Sequence, residues 1–398
     1  MDYRFADTMK HFQSSAVREI LKLTQGKSVI SFAGGLPAEE LFPAAAIREA
    51  FNRIFEQGNS ALQYGLTEGF LPLREALCAR MARKNMRVTP RDMLVTTGSQ
   101  QAIDLLAKVY LDPGDTVLVQ EPTYLAALQV FQSHGAKVIS VAGDPNGMDP
   151  EQLEAKIAEH RPKMVYVSPT FSNPTGYVWS LERRQALLDS CRRNNVLILE
   201  DDPYGELQYG SDETYPSIFS LDQHPESSAV VYTSTFSKIA APGLRTGWVI
   251  GDPTIIRSMA QAKQAADLQS STMDQQALYY LLRDFDLDGH IALIRANYEE
   301  RMRLMVSLLE GLGRSDLRWN EPKGGMFLWL ELPETLHAEH LLPLAVEKGV
   351  AFVPGSSFYA ERPKHNTIRL NFTHSDRETM ITGMERFAAA LEEISVRV

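Results

Sequence analysis

The chain has 398 residues, of which 44% are hydrophobic and 23% are charged, proportions typical of soluble globular proteins. These values exclude a disordered or fibrous protein, and the length alone favours two or three domains. With 40 basic and 50 acidic side chains, the formal net charge is −10, which argues against a general attraction to nucleic acid or anionic lipid. We therefore expect neither nucleic acid nor a membrane as a partner.

Cysteine content and the first residues indicate the compartment. The two cysteines, Cys78 and Cys191, have no paired spacing, which excludes a disulfide framework and is typical of a reducing compartment. Charges at Asp2, Arg4 and Asp7 leave no room there for the apolar core of a signal peptide. No uncharged apolar run reaches the ~18 residues of a spanning helix, so we expect a cytoplasmic protein.

The N-terminal segment combines a helical stretch at 15–23 with Gly34-Gly35-Leu36-Pro37, a sequence typical of an irregular turn. Between 91 and 251, short apolar runs then alternate with helix-length segments. The predicted strands are 93–97, 116–120, 137–141, 164–168, 196–200, 229–233 and 247–250. The predicted helices are 100–111, 124–134, 150–160 and 181–194. Continuous apolar strands separated by helices indicate an α/β protein with a mostly parallel sheet buried on both faces.

The C-terminal part has a different pattern. A long amphipathic helix is predicted at 289–312, followed by short strands at 326–330, 351–353 and 367–372 and helices at 338–348 and 377–392. This mixture predicts a smaller α+β domain. The predicted division is an N-terminal arm with part of the small domain at 1–44, a large domain at 45–289 and a small domain at 290–398.

The most informative segment follows the predicted strand at 229–233. Lys238 lies there in a loop at the carboxyl end of a buried strand, where open α/β sheets place their ligands. A desolvated lysine forms Schiff bases readily, because burial favours the neutral amine. Arg245, with the hydroxyl groups of Thr235 and Ser237, has the chemistry to bind a phosphate dianion. The alternative is a surface loop with an exposed lysine, the usual situation of a lysine taken alone.

Two segments carry a family resemblance: STFSK at 234–238 and PGLRTGW at 242–248. Together they resemble the lysine segment of class I aminotransferases, which are pyridoxal-5′-phosphate (PLP) enzymes of fold type I. The resemblance implies PLP as cofactor and residues 45–289 as the PLP-binding domain. It also implies a seven-stranded, mostly parallel sheet flanked by helices, as in aspartate aminotransferase, with the smaller α+β domain beside it.

Further motifs match this family in the same order along the chain. TTGSQQA at 96–102 resembles the phosphate cradle, where Ser99 and Gln100 open a helix whose free N–H groups and dipole favour an anion. Tyr124, in EPTY, matches the residue that stacks on the cofactor ring. Asn173, in SNPTG, matches the asparagine that donates to the phenolic oxygen of the ring, next to the substrate. Taken alone, these residues are also typical of a capped helix, a core tyrosine and a turn.

The resemblance assigns four more roles. Asp201, in EDDPY, matches the carboxylate that keeps the pyridine nitrogen protonated, and Tyr204 matches the tyrosine that binds the phenolic oxygen. Arg369 matches the arginine that holds the substrate α-carboxylate by a bidentate fork, although a surface ion pair is the usual role of such a residue. Tyr64 resembles the tyrosine that reaches the phosphate of the neighbouring subunit, which implies a homodimer with shared active sites. Lys238, Asp201 and Tyr204 are the implied catalytic residues.

Two N-terminal segments, SSAVR at 14–18 and SFAGGLP at 31–37, resemble the 2-aminoadipate and kynurenine aminotransferases. In that subgroup, Arg18 and Gly35 correspond to residues beside the substrate side chain; a helix-surface charge is the other interpretation of Arg18. The resemblance implies an aromatic, aliphatic or 2-aminoadipate-like amino donor and a 2-oxo acid acceptor such as 2-oxoglutarate. The implied mechanism is ping-pong transamination through a Schiff base on Lys238.

Two alternatives stay open. The same residues serve a PLP-dependent carbon–sulfur lyase, and the subgroup also includes domains of helix-turn-helix regulators, which would make this a non-catalytic PLP-sensing module. The acidic charge and the start of the chain at the aminotransferase segment disfavour the regulator. No metal site is predicted, because HAEH at 337–340 lacks the spacing of the zincin helix.

Overall fold

A computed structural model describes residues 1, 3–6, 20, 28–210, 213–222 and 225–397. The predicted helix at 15–23 lies outside the described residues apart from Ile20. The α-helices are α1 Ala44–Glu56, α2 Leu71–Ala82, α3 Ser99–Tyr110, α4 Leu125–Ser133, α5 Pro150–His160, α6 Leu181–Asn194, α7 Ile218–Leu221, α8 Pro253–Ala266, α9 Thr272–Asp284, α10 Leu287–Glu310, α11 Ala338–Glu347 and α12 Arg377–Arg397.

The strands form one seven-stranded sheet, one four-stranded sheet and two two-stranded pairings. They are β1 Ile30–Ser31, β2 Met93–Thr96, β3 Thr116–Gln120, β4 Lys137–Val141, β5 Gly143–Asp144, β6 Gly147–Met148, β7 Met164–Val167, β8 Leu197–Asp201, β9 Val230–Thr235, β10 Gly247–Ile250, β11 Arg318–Trp319, β12 Phe327–Glu331, β13 Val350–Ala351, β14 Val353–Pro354 and β15 Thr367–Asn371.

The large sheet has seven strands in the order β2-β10-β9-β8-β7-β3-β4. Only β10 runs antiparallel to its neighbours within this sheet. Alternate residues of each strand enter two separate apolar cores: Val95 and Leu118 belong to one, and Leu94 and Val117 belong to the other. The sheet is thus buried on both faces, which explains the continuous apolar runs and confirms the predicted α/β fold class.

The parallel strands bring their carboxyl ends to one edge of the sheet. The loops after β2, β8 and β9 therefore meet there, although they are far apart in the sequence. These loops begin at Thr97, Asp202 and Phe236, directly before or after residues that the sequence analysis singles out.

A second sheet, in the order β11-β12-β15-β14, forms the smaller α+β part. The predicted strand at 351–353 was wrong in detail, because Phe352 separates two short strands with different partners. β13 pairs in parallel with β1 near the N-terminus, whereas β14 pairs with β15.

The domain limits at 44 and 289 stay predictions. Among the described helices, none is long and apolar enough to cross a membrane.

Candidate active site

A cavity of about 420 Å³ lies at the carboxyl edge of the large sheet and extends to β15 of the small sheet. Most residues singled out in the sequence line this cavity. They are Gly35, Ser99, Gln100, Tyr124, Asn173, Asp201, Tyr204, Thr235, Ser237, Lys238, Arg245 and Arg369.

For two predicted residues the structure shows no place in this cavity. Tyr64 is not among the residues lining this cavity, and its side chain is 77% exposed. Arg18 lies outside the described residues. The predicted roles of both therefore depend on the family resemblance alone.

Lys238 ends a short 3-10 helix, Phe236–Lys238, that follows β9 directly. Its Nζ donates a hydrogen bond to the carbonyl oxygen of Gly35 at 2.9 Å. Burial, together with the positive charges of Arg369 and Arg245, lowers the pKa of Lys238 to about 8. A substantial neutral fraction near physiological pH makes this amine a nucleophile.

Asp201 is the last residue of β8 and is 3% exposed. Its Oδ2 accepts a hydrogen bond from the Tyr166 hydroxyl at 2.8 Å, while Oδ1 is buried with no hydrogen-bond partner among the described residues. Burial raises the pKa of Asp201 to about 7, against the lowering effect of the Tyr166 hydrogen bond. A buried acceptor without a partner is costly, so a bound group with an N–H donor satisfies this site.

The acidic residues on either side of Asp201 have structural roles. Glu200 accepts hydrogen bonds from the backbone N–H groups of Ile218 and Phe219, each at 2.9 Å. Asp202 accepts from the Tyr232 hydroxyl at 2.9 Å. Among these three acidic residues, Asp201 is thus the one that lines the cavity and has a carboxylate oxygen without a hydrogen-bond partner among the described residues.

Two tyrosines lie in the cavity wall. Tyr204 is buried and hydrogen-bonded to the side chain of Asn173, and burial raises the pKa of its phenol. The Tyr124 hydroxyl donates to Gln100 Oε1 at 3.3 Å, and burial raises the pKa of Tyr124 to about 12. Both phenols therefore stay protonated and serve as hydrogen-bond donors at neutral pH.

A cradle for an anion forms where α3 begins. Gly98 has a φ of +76°, and a Cβ built there would lie 2.6 Å from Arg245 Nη2, so only glycine lets the guanidinium approach. The hydroxyl of Thr235 accepts from the backbone N–H of Ser237 at 3.1 Å. The N-terminus of α3, the guanidinium and the hydroxyl groups suit a phosphate dianion.

Arg369, on β15, is 2% exposed. Its Nη1 donates to Asn173 Oδ1 at 2.7 Å and its Nη2 to the carbonyl oxygen of Ala33 at 2.5 Å. The guanidinium carbon lies 4.3 Å from the ring centre of Phe327 and 5.0 Å from that of Phe358. Burial lowers the pKa of Arg369 to about 10, so the group stays charged and is suited to bind a carboxylate.

Three of these residues were not predicted from the sequence. Tyr166 lies in an otherwise apolar strand, and a buried phenol that needs a partner is a signal that could have identified it. Phe327 is 42 residues before Arg369 and Phe358 is 11 residues before it, and no local pattern marks either ring as its neighbour.

Comparison with known proteins now identifies the chain. Residues 27–387 match the family model described as aminotransferase class I and II. The chain belongs to this family. It is 40% identical to aromatic-amino-acid aminotransferase 1 of Thermococcus litoralis, across 99% of this chain and 95% of the relative. It is also 40% identical to the 2-aminoadipate transaminase of Thermus thermophilus, across 96% of this chain and 94% of the relative.

A solved structure resembles this chain along nearly its whole length. It is the α-aminoadipate aminotransferase LysN of Thermus thermophilus in complex with N-(5′-phosphopyridoxyl)-L-leucine, with a TM-score of 0.92 and 38% identity, covering 99% of this chain and 98% of LysN. The aminotransferase is therefore a fold type I, PLP-dependent enzyme, as the sequence motifs implied.

The cavity fits this cofactor. PLP has a phosphate dianion, an aldehyde and a pyridine nitrogen that carries a proton. The anion cradle at Gly98, the nucleophilic amine of Lys238 and the unpartnered Oδ1 of Asp201 correspond to these three groups.

Proposed function

We propose that this aminotransferase moves the amino group of an aromatic, aliphatic or 2-aminoadipate-like L-amino acid to a 2-oxo acid such as 2-oxoglutarate. The observation that carries this proposal is the presence of Lys238 and Arg369 in one cavity. Arg369 would bind the α-carboxylate of a substrate, and Lys238 would hold a cofactor aldehyde within reach of its α-amino group, so the pair suits the two groups that every α-amino acid has.

The residues of the cavity have separate roles in the proposed reaction. PLP, when bound, supplies an electron sink for the bond broken at the substrate Cα. Lys238 would hold the cofactor aldehyde through its amine and, with substrate bound, would take and return the Cα proton as general base and acid. Asp201 would keep the pyridine nitrogen protonated, while Tyr204 and Asn173 would bind the phenolic oxygen. Six residues would hold the ring and the phosphate: Ser99, Gln100, Tyr124, Thr235, Ser237 and Arg245.

The cavity wall favours broad substrate specificity. Leu36, Leu125 and Ala126 line it beside Gly35, so an apolar substrate side chain finds apolar neighbours. A Cβ on Gly35 would lie 3.3 Å from the Phe327 ring, so a larger residue would narrow this wall. Arg18 is the proposed partner for an acidic side chain. The names of the two relatives, and the leucine adduct of LysN, agree with this range.

The proposed assembly is a cytoplasmic homodimer in which Tyr64 reaches the phosphate site of the partner. The 77% exposure of Tyr64 and its position outside the cavity of its own chain agree with this role. Residues 45–289 are the proposed PLP-binding domain.

The proposal is tested with a panel of amino donors, each at the same concentration with 2-oxoglutarate. We expect the absorbance of the bound cofactor to change to that of pyridoxamine phosphate with the amino donor alone. Adding 2-oxoglutarate should restore the original spectrum and yield glutamate. Release of ammonia and pyruvate from cystathionine, without this half-reaction, would instead identify a carbon–sulfur lyase.

A further inference from the structure

A cluster of metal-ligating side chains lies in the small α+β part, among residues that do not line the active-site cavity. It consists of His337, Glu339 and His365, which each offer one ligand atom, and these atoms all lie within 4.8 Å of one another. Glu339 Oε1 is 3.0 Å from His365 Nδ1. The Glu339 carboxylate, which is partly buried, also has a side-chain hydrogen bond with Ser356.

The backbone holds these three residues together. His337 is the residue before α11, and Glu339 lies in the first turn of that helix. The N–H of Ala338 donates to the carbonyl oxygen of His365 at 2.7 Å, which fixes the start of α11 against the segment before β15. The His337 ring stacks on the His365 ring, with 5.2 Å between their centres and 21° between their planes.

We propose that His337, Glu339 and His365 form a binding site for a divalent transition-metal ion of the Zn²⁺ type. Two imidazole nitrogens and one carboxylate oxygen are a donor set that Zn²⁺ accepts, with a fourth position left to water. Ligand atoms around a tetrahedral zinc lie about 3.4 Å apart, given bond lengths of about 2.1 Å. The ligand atoms of the cluster lie within 4.8 Å of one another, and the exposed rings of His337 and His365 are free to rotate toward the shorter spacing.

The site would have a structural consequence. A bound ion joins the start of α11 to the segment before β15, the strand that contains Arg369. Because the metal binds the folded arrangement and not the unfolded chain, binding stabilises the fold. Sequence spacing could not predict this, because HAEH provides two of the ligands and the third comes from a separate segment.

Isothermal titration of the chelator-treated, PLP-loaded enzyme with Zn²⁺ tests the proposal. We expect about one ion per chain. His365→Ala, His337→Ala and Glu339→Gln should each weaken binding at least about tenfold. The melting temperature of the wild-type enzyme should rise with Zn²⁺, and that rise should be lost in the same variants. Transaminase activity without added metal should be unchanged.

His160→Ala is the matched control, because His160 also pairs with a glutamate, Glu159, at 3.4 Å, but does not belong to the three-residue cluster. This variant should bind Zn²⁺ as the wild type does. The proposal is overturned if wild-type enzyme binds no Zn²⁺, or if binding and the melting shift persist in the three cluster variants. Circular dichroism of each variant separates loss of the site from loss of the fold.

Discussion

At the scale of single residues, the role of the Asp201 charge can be tested most directly. Asp201→Asn keeps the shape of the side chain but removes the charge that would pair with the pyridine nitrogen. We expect kcat/KM for transamination to fall on the order of 10²- to 10³-fold, the cost of leaving a buried charge unpaired. Tyr166→Phe removes the 2.8 Å hydrogen bond to Oδ2 and keeps the carboxylate, so it should cost about tenfold or less. Equal losses in the two variants would contradict this role of the charge.

The lowered pKa of Lys238 predicts a pH dependence. Burial and two neighbouring arginines bring this pKa to about 8, so the neutral amine increases as pH rises through that value. In apoenzyme, the rate of Schiff-base formation with added PLP should rise about tenfold per pH unit below 8 and level off above it.

Arg369 provides the matched pair of variants for this pH profile. Arg369→Gln removes a positive charge near Lys238, so the midpoint should move to higher pH. Arg369→Lys keeps the charge and should keep the midpoint, although it loses the bidentate fork that binds the carboxylate. Stopped-flow absorbance gives both profiles. Identical midpoints in the two variants would show that the charge of Arg369 does not affect the amine.

At the scale of elements, the turn between β2 and α3 carries the next prediction. Gly98→Ala places a Cβ 2.6 Å from Arg245 Nη2 at φ +76° and ψ 166°, a nearly glycine-only conformation that costs an L-residue about 1–3 kcal/mol. We expect the Kd for PLP, measured by equilibrium dialysis, to rise about tenfold. Gly243→Ala is the control, since nothing lies within 4 Å of a Cβ there. An unchanged Kd in Gly98→Ala would contradict the proposed cradle.

Most strands of the large sheet were predictable because they are buried on both faces, whereas the edge strand β4 begins with the exposed Lys137. A continuous apolar run such as 116–120 has the same limits in the structure, and the strand predicted at 196–200 differs by one residue at each end. Sequence pattern failed where a strand is short and its partner is distant. Phe352 interrupts the predicted strand at 351–353, because the residues on either side pair with β1 and with β15.

At the scale of the whole molecule, the candidate site shows a similar limit. The motifs identified Asp201, Lys238 and Arg369, because each follows or occupies a recognisable strand. The rings of Phe327 and Phe358 around Arg369 were not predicted, since only the packing of the small sheet brings them there. The cluster of His337, Glu339 and His365 was not predicted from the sequence for the same reason, because His365 comes close to His337 only through the fold.

If two chains share each active site, Tyr64 and Lys238 of one site belong to different chains. Mixing subunits that carry a variant at one or the other position tests this arrangement. Lys238→Ala should abolish transamination, whereas Tyr64→Ala should weaken PLP binding about tenfold by removing one hydrogen bond to a charged group. In a hybrid dimer, one site combines the intact Lys238 of one chain with the intact Tyr64 of the other. Its second site has both defects.

Random reassociation of equal amounts of the two variants makes about half of the dimers hybrids, so about a quarter of all sites are intact. At a PLP concentration too low to saturate Tyr64→Ala, the mixture should therefore exceed the mean activity of the two variants assayed apart. Wild-type enzyme mixed with Lys238→Ala controls for reassociation itself. If Tyr64 served only its own chain, every Lys238 in the mixture would keep the weakened phosphate site, and mixing would add nothing.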